Sequence, residues 1–176
     1  MGRILIETER TYVRETEITD IQNRFDLYDS PHMVDFIEPL DSFEEEEEYQ
    51  KRYNERIYGV YGYGMWSVIQ KDTGRYIGEA GLEHRIPPVR EKFPYAWMFA
   101  EHTSELGFCF AEDLWGQGIA TEVCGAIVDY GVNTLGMTRL FARADKANKA
   151  SVRVLTKLGF EEYGPGMGTH TVYIRV

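Results

Sequence analysis

Cysteine is scarce in this chain: Cys109 and Cys124 are the two present, both in apolar periodic segments where a small hydrophobe would serve as well. Two thiols cannot build a disulfide framework, and a cytoplasmic setting is expected. Long hydrophobic runs are also missing. No stretch approaches the roughly eighteen apolar residues of a bilayer span, so no membrane partner is expected. The opening MGRILIETERTYVRE turns acidic at Glu7, and no secretory signal is expected there. Positive charge is in deficit, with 19 Lys and Arg against 29 Asp and Glu and a net charge of −10. That balance opposes a phosphate backbone, which weighs against nucleic acid, and it attracts cationic substrates. The histidines (His32, His84, His102, His170) and cysteines lack metal-ligand spacing, so no metal is expected.

The 176 residues suffice to bury a core, and no repeat, low-complexity linker or shift of composition marks a boundary. A single domain over residues 1–176 is therefore expected. Residues 3–14 read as extended, and Thr19 with Gln22 resembles a capping box opening a helix through Phe25 and Leu27. Ser42 with Glu45 reads as a second box. It places the acidic run 44–48 in the first turns of a helix, where the dipole favours negative charge; a solvated helix start explains it better than amine attraction does. YGVYGYG at 58–64 is a turn-rich junction, followed by a hairpin of WSVIQK, KDTG and YIGEAGLEH. Residues 85–103 are aromatic and proline-bearing without periodicity, so a long loop with a short element is expected, suited to a lid or to a homodimer interface. After it come a strand (ELGFCF), a helix over about 117–135, a strand (RLFARA), a helix over about 149–158 and terminal strands, giving a mixed α/β order.

The strand over 106–110 runs into Trp115, Gly116, Gln117, Gly118, Ile119 and Ala120 and then into a long helix. Such a turn leaves backbone N–H groups that the helix cannot satisfy, and these donors bind anions. Glycine at 116 and 118 lets the main chain approach a pyrophosphate. Neither the GxGxxG fingerprint nor a P-loop is present, because the third glycine and the lysine are missing. Alone, the spacing supports an anion site or a tight turn with no ligand.

WGQGIATE, through Thr121, resembles the acetyl-CoA loop of the GNAT superfamily, particularly its RimJ/RimL-like branch. NKASVRVLTKLGF at 148–160 is similar to that branch's second hallmark. The resemblance extends more weakly over nearly the whole chain, residues 85–103 excepted. It implies a GNAT-like fold: a mostly antiparallel central sheet with a splayed parallel pair at the acetyl-CoA site, flanked by about four helices. It also implies acetyl transfer from acetyl-CoA, as co-substrate, to a primary amine, either a protein N-terminal α-amine or a cationic small molecule. The splayed strand holding pantetheine matches Phe108, Cys109 and Phe110. The family's general pattern begins its loop with Gln or Arg where this chain has Trp115, so phosphate binding is expected to rest on backbone donors.

Transfer needs a neutral amine, a stabilised oxyanion and protonation of the leaving thiolate. Glu105, opening the splayed strand, is the first candidate base, His84 the second, and bulk water the remaining acceptor. Where several GNAT enzymes carry a tyrosine acid, the matching residue is Leu155, which leaves Ser151 as proton donor or hydrogen-bond partner of the thiolate. Asn148 suits an N-cap and a pantetheine contact equally. Cys109 as a nucleophile has no adjacent base and is better read as a buried small residue. The alternative to an enzyme is a non-catalytic acyl-CoA sensor or interaction module of the same fold.

Overall fold

The computed structural model describes residues 2–33, 35, 40, 42–85 and 95–176. Its strands are β1 (Ile4–Glu7), β2 (Thr11–Arg14), β3 (Met65–Gln70), β4 (Tyr76–Glu83), β5 (Thr103–Phe110), β6 (Arg139–Asp145), β7 (Glu161–Pro165) and β8 (His170–Arg175). They form one sheet in the order β1-β2-β3-β4-β5-β6-β8-β7, antiparallel throughout except for the parallel pair β5–β6. Helices α1 (Ile21–Tyr28), α2 (Phe43–Tyr53), α4 (Ile119–Asn133) and α5 (Lys149–Lys157) flank it, with a single turn α3 (Gly59–Tyr61) between. This is the mixed α/β GNAT fold expected from the sequence.

The two faces of the sheet are closed differently. Apolar residues of α4 recur at helical spacing, and Val123, Cys124 and Ile127 bury fully in one cluster with Trp66, Val68, Leu82 and Leu106. Across the opposite face, α1 and α2 sit over a polar layer. Arg14 and Asp20 make a bidentate pair there with both contacts at 2.7 Å, and Ser67 Oγ donates to Asp20 at 2.8 Å. Tyr28 donates to Glu79 at 2.5 Å, and Arg24 Nε lies 3.1 Å from the same carboxylate. Charges in such a layer persist because each faces a partner of opposite sign.

Several local expectations need correction. The box opening the first helix is not Thr19 with Gln22: the Asp20 carboxylate accepts from the Glu17 amide at 2.9 Å, and a 3-10 turn, Ile18–Asp20, leads into α1. Asp20 serves because its side chain is already oriented by Arg14. The extended segment 3–14 is two strands joined by a turn. The junction at 58–64 is helical for its first half: a π-helical turn, Asn54–Tyr58, continues α2, and Gly62 at φ 73° ends α3. The helix expected over 117–135 spans Ile119–Asn133. Ser42 and Glu45 form their box as expected, with Ser42 Oγ accepting from Glu45 N and Glu45 Oε2 from Ser42 N. Of the segment 85–103, residues 86–94 lie outside the described residues; Ala96–Phe99 form a 3-10 turn before β5.

Candidate active site

Pairing between β5 and β6 is confined to Thr103–Arg139, Ser104–Leu140 and Glu105–Phe141. Beyond Glu105 and Phe141 both strands continue, to Phe110 and Asp145, without joining. Which backbone groups face the gap follows from parity. Ala111 N donates to Ile77 O at 2.9 Å, and the β4–β5 register holds without a shift back to Glu83–Glu105. Hydrogen-bonding positions alternate along an antiparallel pair. Residues 107, 109 and 111 therefore point their main chain at β4, while 106, 108 and 110 point theirs at the gap. The Phe110 carbonyl accepts from the Trp115 indole at 2.8 Å. The Leu106 amide is spent on the Glu105–Phe141 pair, so Phe108 presents the first free gap-facing amide. Cys109, expected among the residues holding the cofactor, has its main chain directed at Glu79 and its side chain in a small cluster with Leu27, Met33 and Ala111.

The gap opens into a cavity of about 530 Å³. Phe108, Cys109, Phe110, Trp115, Gly116, Gly118, Ile119, Ala120, Thr121, Asn148 and Ser151 line it, whereas Gln117 does not. Gln117 Nε2 instead donates to Asp113 O and its carbonyl accepts from Arg10 Nη1, so it pins the turn from outside. Gly116 and Gly118 have φ of 76° and 80°, and Gly118 is the N-cap of α4. A side chain would be strained at either position. A Cβ on Gly116 would meet nothing within 4 Å, so the strain, not crowding by the fold, calls for glycine there. The first i→i−4 bond of α4 runs from Glu122 N to Gly118 O, which leaves the amides of 119–121 outside the helical ladder. Amides left free at a helix N-terminus in this way are suited to an anion.

The facing wall is α5. Asn148 Oδ1 accepts from Ser151 N at 3.0 Å and caps the helix. At the other end, Phe160 N bonds to Leu155 O, Gly159 N to Thr156 O, and Gly159 sits at φ 80°. That is a Schellman ending with its accompanying apolar contact, so the KLGF run is a helix stop, and Leu155 is buried as part of it. Lys149, Arg153 and Lys157, four residues apart, line the cavity along one face of α5. Sequence reading passed over them, although the Lys-x₃-Arg-x₃-Lys spacing within 148–160 carried the signal.

Glu105 and His84 do not line this cavity. Glu105 is buried, and its carboxylate accepts from Arg85 Nε and from Arg143 Nε and Nη2, the last two at 2.7 and 3.3 Å. Arg143 lines the cavity and links it to Glu105. His84 borders a second, smaller pocket with Tyr53, Ile57, Tyr61, Tyr63 and Glu83. Burial first, then the nearby carboxylates of Glu105 and Glu79, holds the Glu83 carboxyl above the usual range against the opposing Arg85. Glu83 and both arginines were missed in the sequence, because their partners lie far along the chain. Burial likewise pushes the Cys109 and Cys124 thiols well up, which disfavours a thiolate nucleophile. Among the described residues no group of three or more His, Cys, Asp and Glu is placed to hold a metal, and no helix is long and apolar enough to cross a membrane.

An acetyltransferase (GNAT) domain family matches residues 10–161. In Bacillus subtilis, the uncharacterized protein YkkB is 30% identical over 153 residues, covering 86% of this chain and 82% of YkkB. The uncharacterized N-acetyltransferase YoaA of the same organism is 25% identical over 166 residues, covering 91% of this chain and 84% of YoaA. An acetyltransferase from Agrobacterium tumefaciens superposes with a TM-score of 0.76 at 23% identity, over 100% of this chain and 96% of that one. A ribosomal-protein-S5-alanine acetyltransferase from Vibrio fischeri gives 0.74 at 20%, over 99% and 97%. A spermidine N-acetyltransferase from Vibrio cholerae, in complex with CoA and spermine, gives 0.70 at 20%, over 93% and 92%. These structures share the fold, while the domain match spans most of the sequence: the chain belongs to the GNAT acetyltransferase family and is an acyltransferase.

Proposed function

We propose that the protein is an acetyl-CoA-dependent N-acetyltransferase of the RimJ/RimL-like branch, acting on a primary amine by direct attack in a ternary complex. The observation that carries this reading is the break in pairing after Glu105 and Phe141, opening onto a cavity whose far end is the unladdered N-terminus of α4. Acetyl-CoA, as co-substrate, supplies the activated acyl group. The amides of 119–121 and the basic face of α5 suit its phosphates. The gap-facing amide of Phe108 suits its pantetheine or the carbonyl oxygen where charge develops. A preorganised donor of this kind contributes about 10²–10³ in rate.

Ser151 lines the cavity at the start of α5 and is our choice for hydrogen-bonding the departing thiolate. Glu105, engaged by two guanidinium groups, acts in this reading as a positioning residue that aims Arg143 into the cavity. The acceptor is a protein N-terminal α-amine or a small amine. Support comes from the two similar folds whose names specify a ribosomal protein and spermidine, and from the net charge of −10.

The test is CoA release across an amine panel: N-terminal peptides, polyamines, aminoglycosides and simple alkylamines. Amine-dependent release above hydrolysis is expected for one class. If acetyl-CoA stabilises the protein against heat while every amine leaves release at background, the domain is a non-catalytic acyl-CoA-binding module instead.

A further inference from the structure

The smaller pocket sits at the C-terminal end of β4. Its lining is Tyr53, Ile57, Tyr61, Tyr63, Glu83 and His84, around about 40 Å³. Three phenol rings and an imidazole make its walls: Tyr61 lies 6.1 Å from Tyr63, edge to face, and 5.3 Å from His84, tilted by 30°. Tyr61 forms the rim and is 38% exposed, so the pocket is reached from solvent. One carboxylate enters this ring. Glu83 Oε2 lies 3.2 Å from Arg85 Nη2, and Oε1 accepts a long 3.5 Å bond from the Tyr53 hydroxyl, which leaves it far less engaged than Glu105. Aromatic faces around a single carboxylate match an alkylammonium ion: the rings attract the cation through their quadrupoles and the carboxylate takes its proton-bearing end. The volume suits an ammonium head with its first carbon.

Its place in the fold relates it to the acyl site. Glu83 pairs directly with Glu105 across β4–β5, and Glu105–Phe141 is the last parallel pair before the gap opens. The pocket is therefore one strand from the apex of the splay, on the side away from the glycine turn. Arg85 bridges Glu83 to Glu105, and Arg143 continues from Glu105 to the large cavity. An amine held here approaches the apex from the end opposite to the phosphates.

We propose that this aromatic pocket is the ammonium subsite of the acceptor and that Glu83 is the group that takes the amine's proton. The proposal rests on the N-acetyltransferase reading above. The ammonium R–NH₃⁺ gives one proton to the Glu83 carboxylate, which frees the nitrogen lone pair. The N–C bond forms at the thioester carbon and the C–S bond breaks. The surplus proton on nitrogen ends on the departing sulfur, and Glu83 returns its own to solvent. The charged and titratable groups facing Glu83 are Arg85, Arg143, Glu105, Glu79, Tyr53, Tyr49, Tyr61, Tyr63 and His84. Burial holds its carboxyl above the usual range, toward the pH where a base is both ionised and effective.

The experiment has two arms on the full chain. In the first, n-butylammonium is titrated and followed by amide NMR. Saturable shifts are expected at Tyr61, Glu83 and His84, weakened at least tenfold in Glu83→Gln and at least threefold in Tyr61→Ala, with no saturable response to 1-butanol. Shifts that are absent, or insensitive to Glu83→Gln, overturn the subsite. In the second, kcat/KM for the most active amine of the panel is measured against pH. Glu83→Gln should lose about 10² or more, together with the acidic limb of the profile, while acetyl-CoA binds within twofold of wild type. A kcat/KM within twofold of wild type removes Glu83 as the proton acceptor. If no amine turns over but n-butylammonium binding depends on Glu83, the subsite stands and the catalytic reading falls.

Discussion

Glu83 and Glu105 face each other across β4 and β5 yet meet different surroundings, and their chemistry divides accordingly. Glu105 is saturated by Arg85 and Arg143, which makes it an anchor, while Glu83 is half-buried beside tyrosines and ion-paired to Arg85. A carboxyl whose folded-state pKa lies above its unfolded value favours the fold while protonated. That contribution is present below the unfolded value, about 4.3, and is lost as pH rises through the raised folded value. Glu83→Gln cannot ionise and avoids the loss. Its melting temperature relative to wild type should therefore increase from pH 4 to pH 8, and a difference that stays flat or falls would contradict the burial argument. Gly118 offers a second test at this scale. At φ 80° a β-branched residue costs about 1–2 kcal/mol and places its side chain beside the free amides of α4. Gly118→Val should lower stability in urea by about that amount. It should weaken acetyl-CoA binding more than tenfold; binding unchanged by calorimetry would place the phosphates elsewhere.

Among the elements, α5 supplies the basic wall of the cavity, and in the proposed reading it recognises the phosphates of acetyl-CoA. Asn148 starts it, the Schellman ending at Gly159 stops it, and between them Lys149, Arg153 and Lys157 present three cations to the cavity. Leu155, which the resemblance matches to the tyrosine of other GNAT enzymes, is buried in one cluster with Phe160 at the helix stop. We expect Arg153→Glu to raise the acetyl-CoA dissociation constant about tenfold, since each lost or reversed phosphate contact acts on a charge-assisted bond. Desulfo-CoA and 3′-dephospho-CoA give the finer readout: if Arg153 meets the 3′-phosphate, the dephospho ligand should bind wild type and variant within twofold of each other. A tenfold loss for both ligands would assign Arg153 to the pyrophosphate.

For the molecule as a whole, the net charge of −10 poses a problem for a polyanionic co-substrate and an advantage for a cationic acceptor. The first is met locally, by the α4 terminus and the α5 cations; the second acts over longer distances. Raising salt from 0.1 to 1 M shortens the screening length from about 10 to about 3 Å. The kcat/KM of a tetra-amine should then fall by about tenfold, and that of a monoamine much less. Equal salt slopes for the two would show that the global field plays no part in acceptor capture.

The order of elements from β3 onward, the Ser42 box, the glycine turn and the KLGF stop were legible in the sequence, because each is decided within a few residues by backbone conformation and local hydrogen bonds. The capping residue at Asp20 was not, since Arg14 on β2 selects it. The same limit hid the centre of the candidate site. Glu105 meets Arg85 and Arg143 across separations of 20 and 38 residues, and no local pattern announces such pairs. Nor could the chain alone say which amides of β5 are free, because the register against β4 sets their parity, and a shift of one residue would exchange them. The sequence determined a strand, a glycine turn and two capped helices. Tertiary structure decided where the strands part, which carboxylate is neutralised there and which is left among the tyrosines.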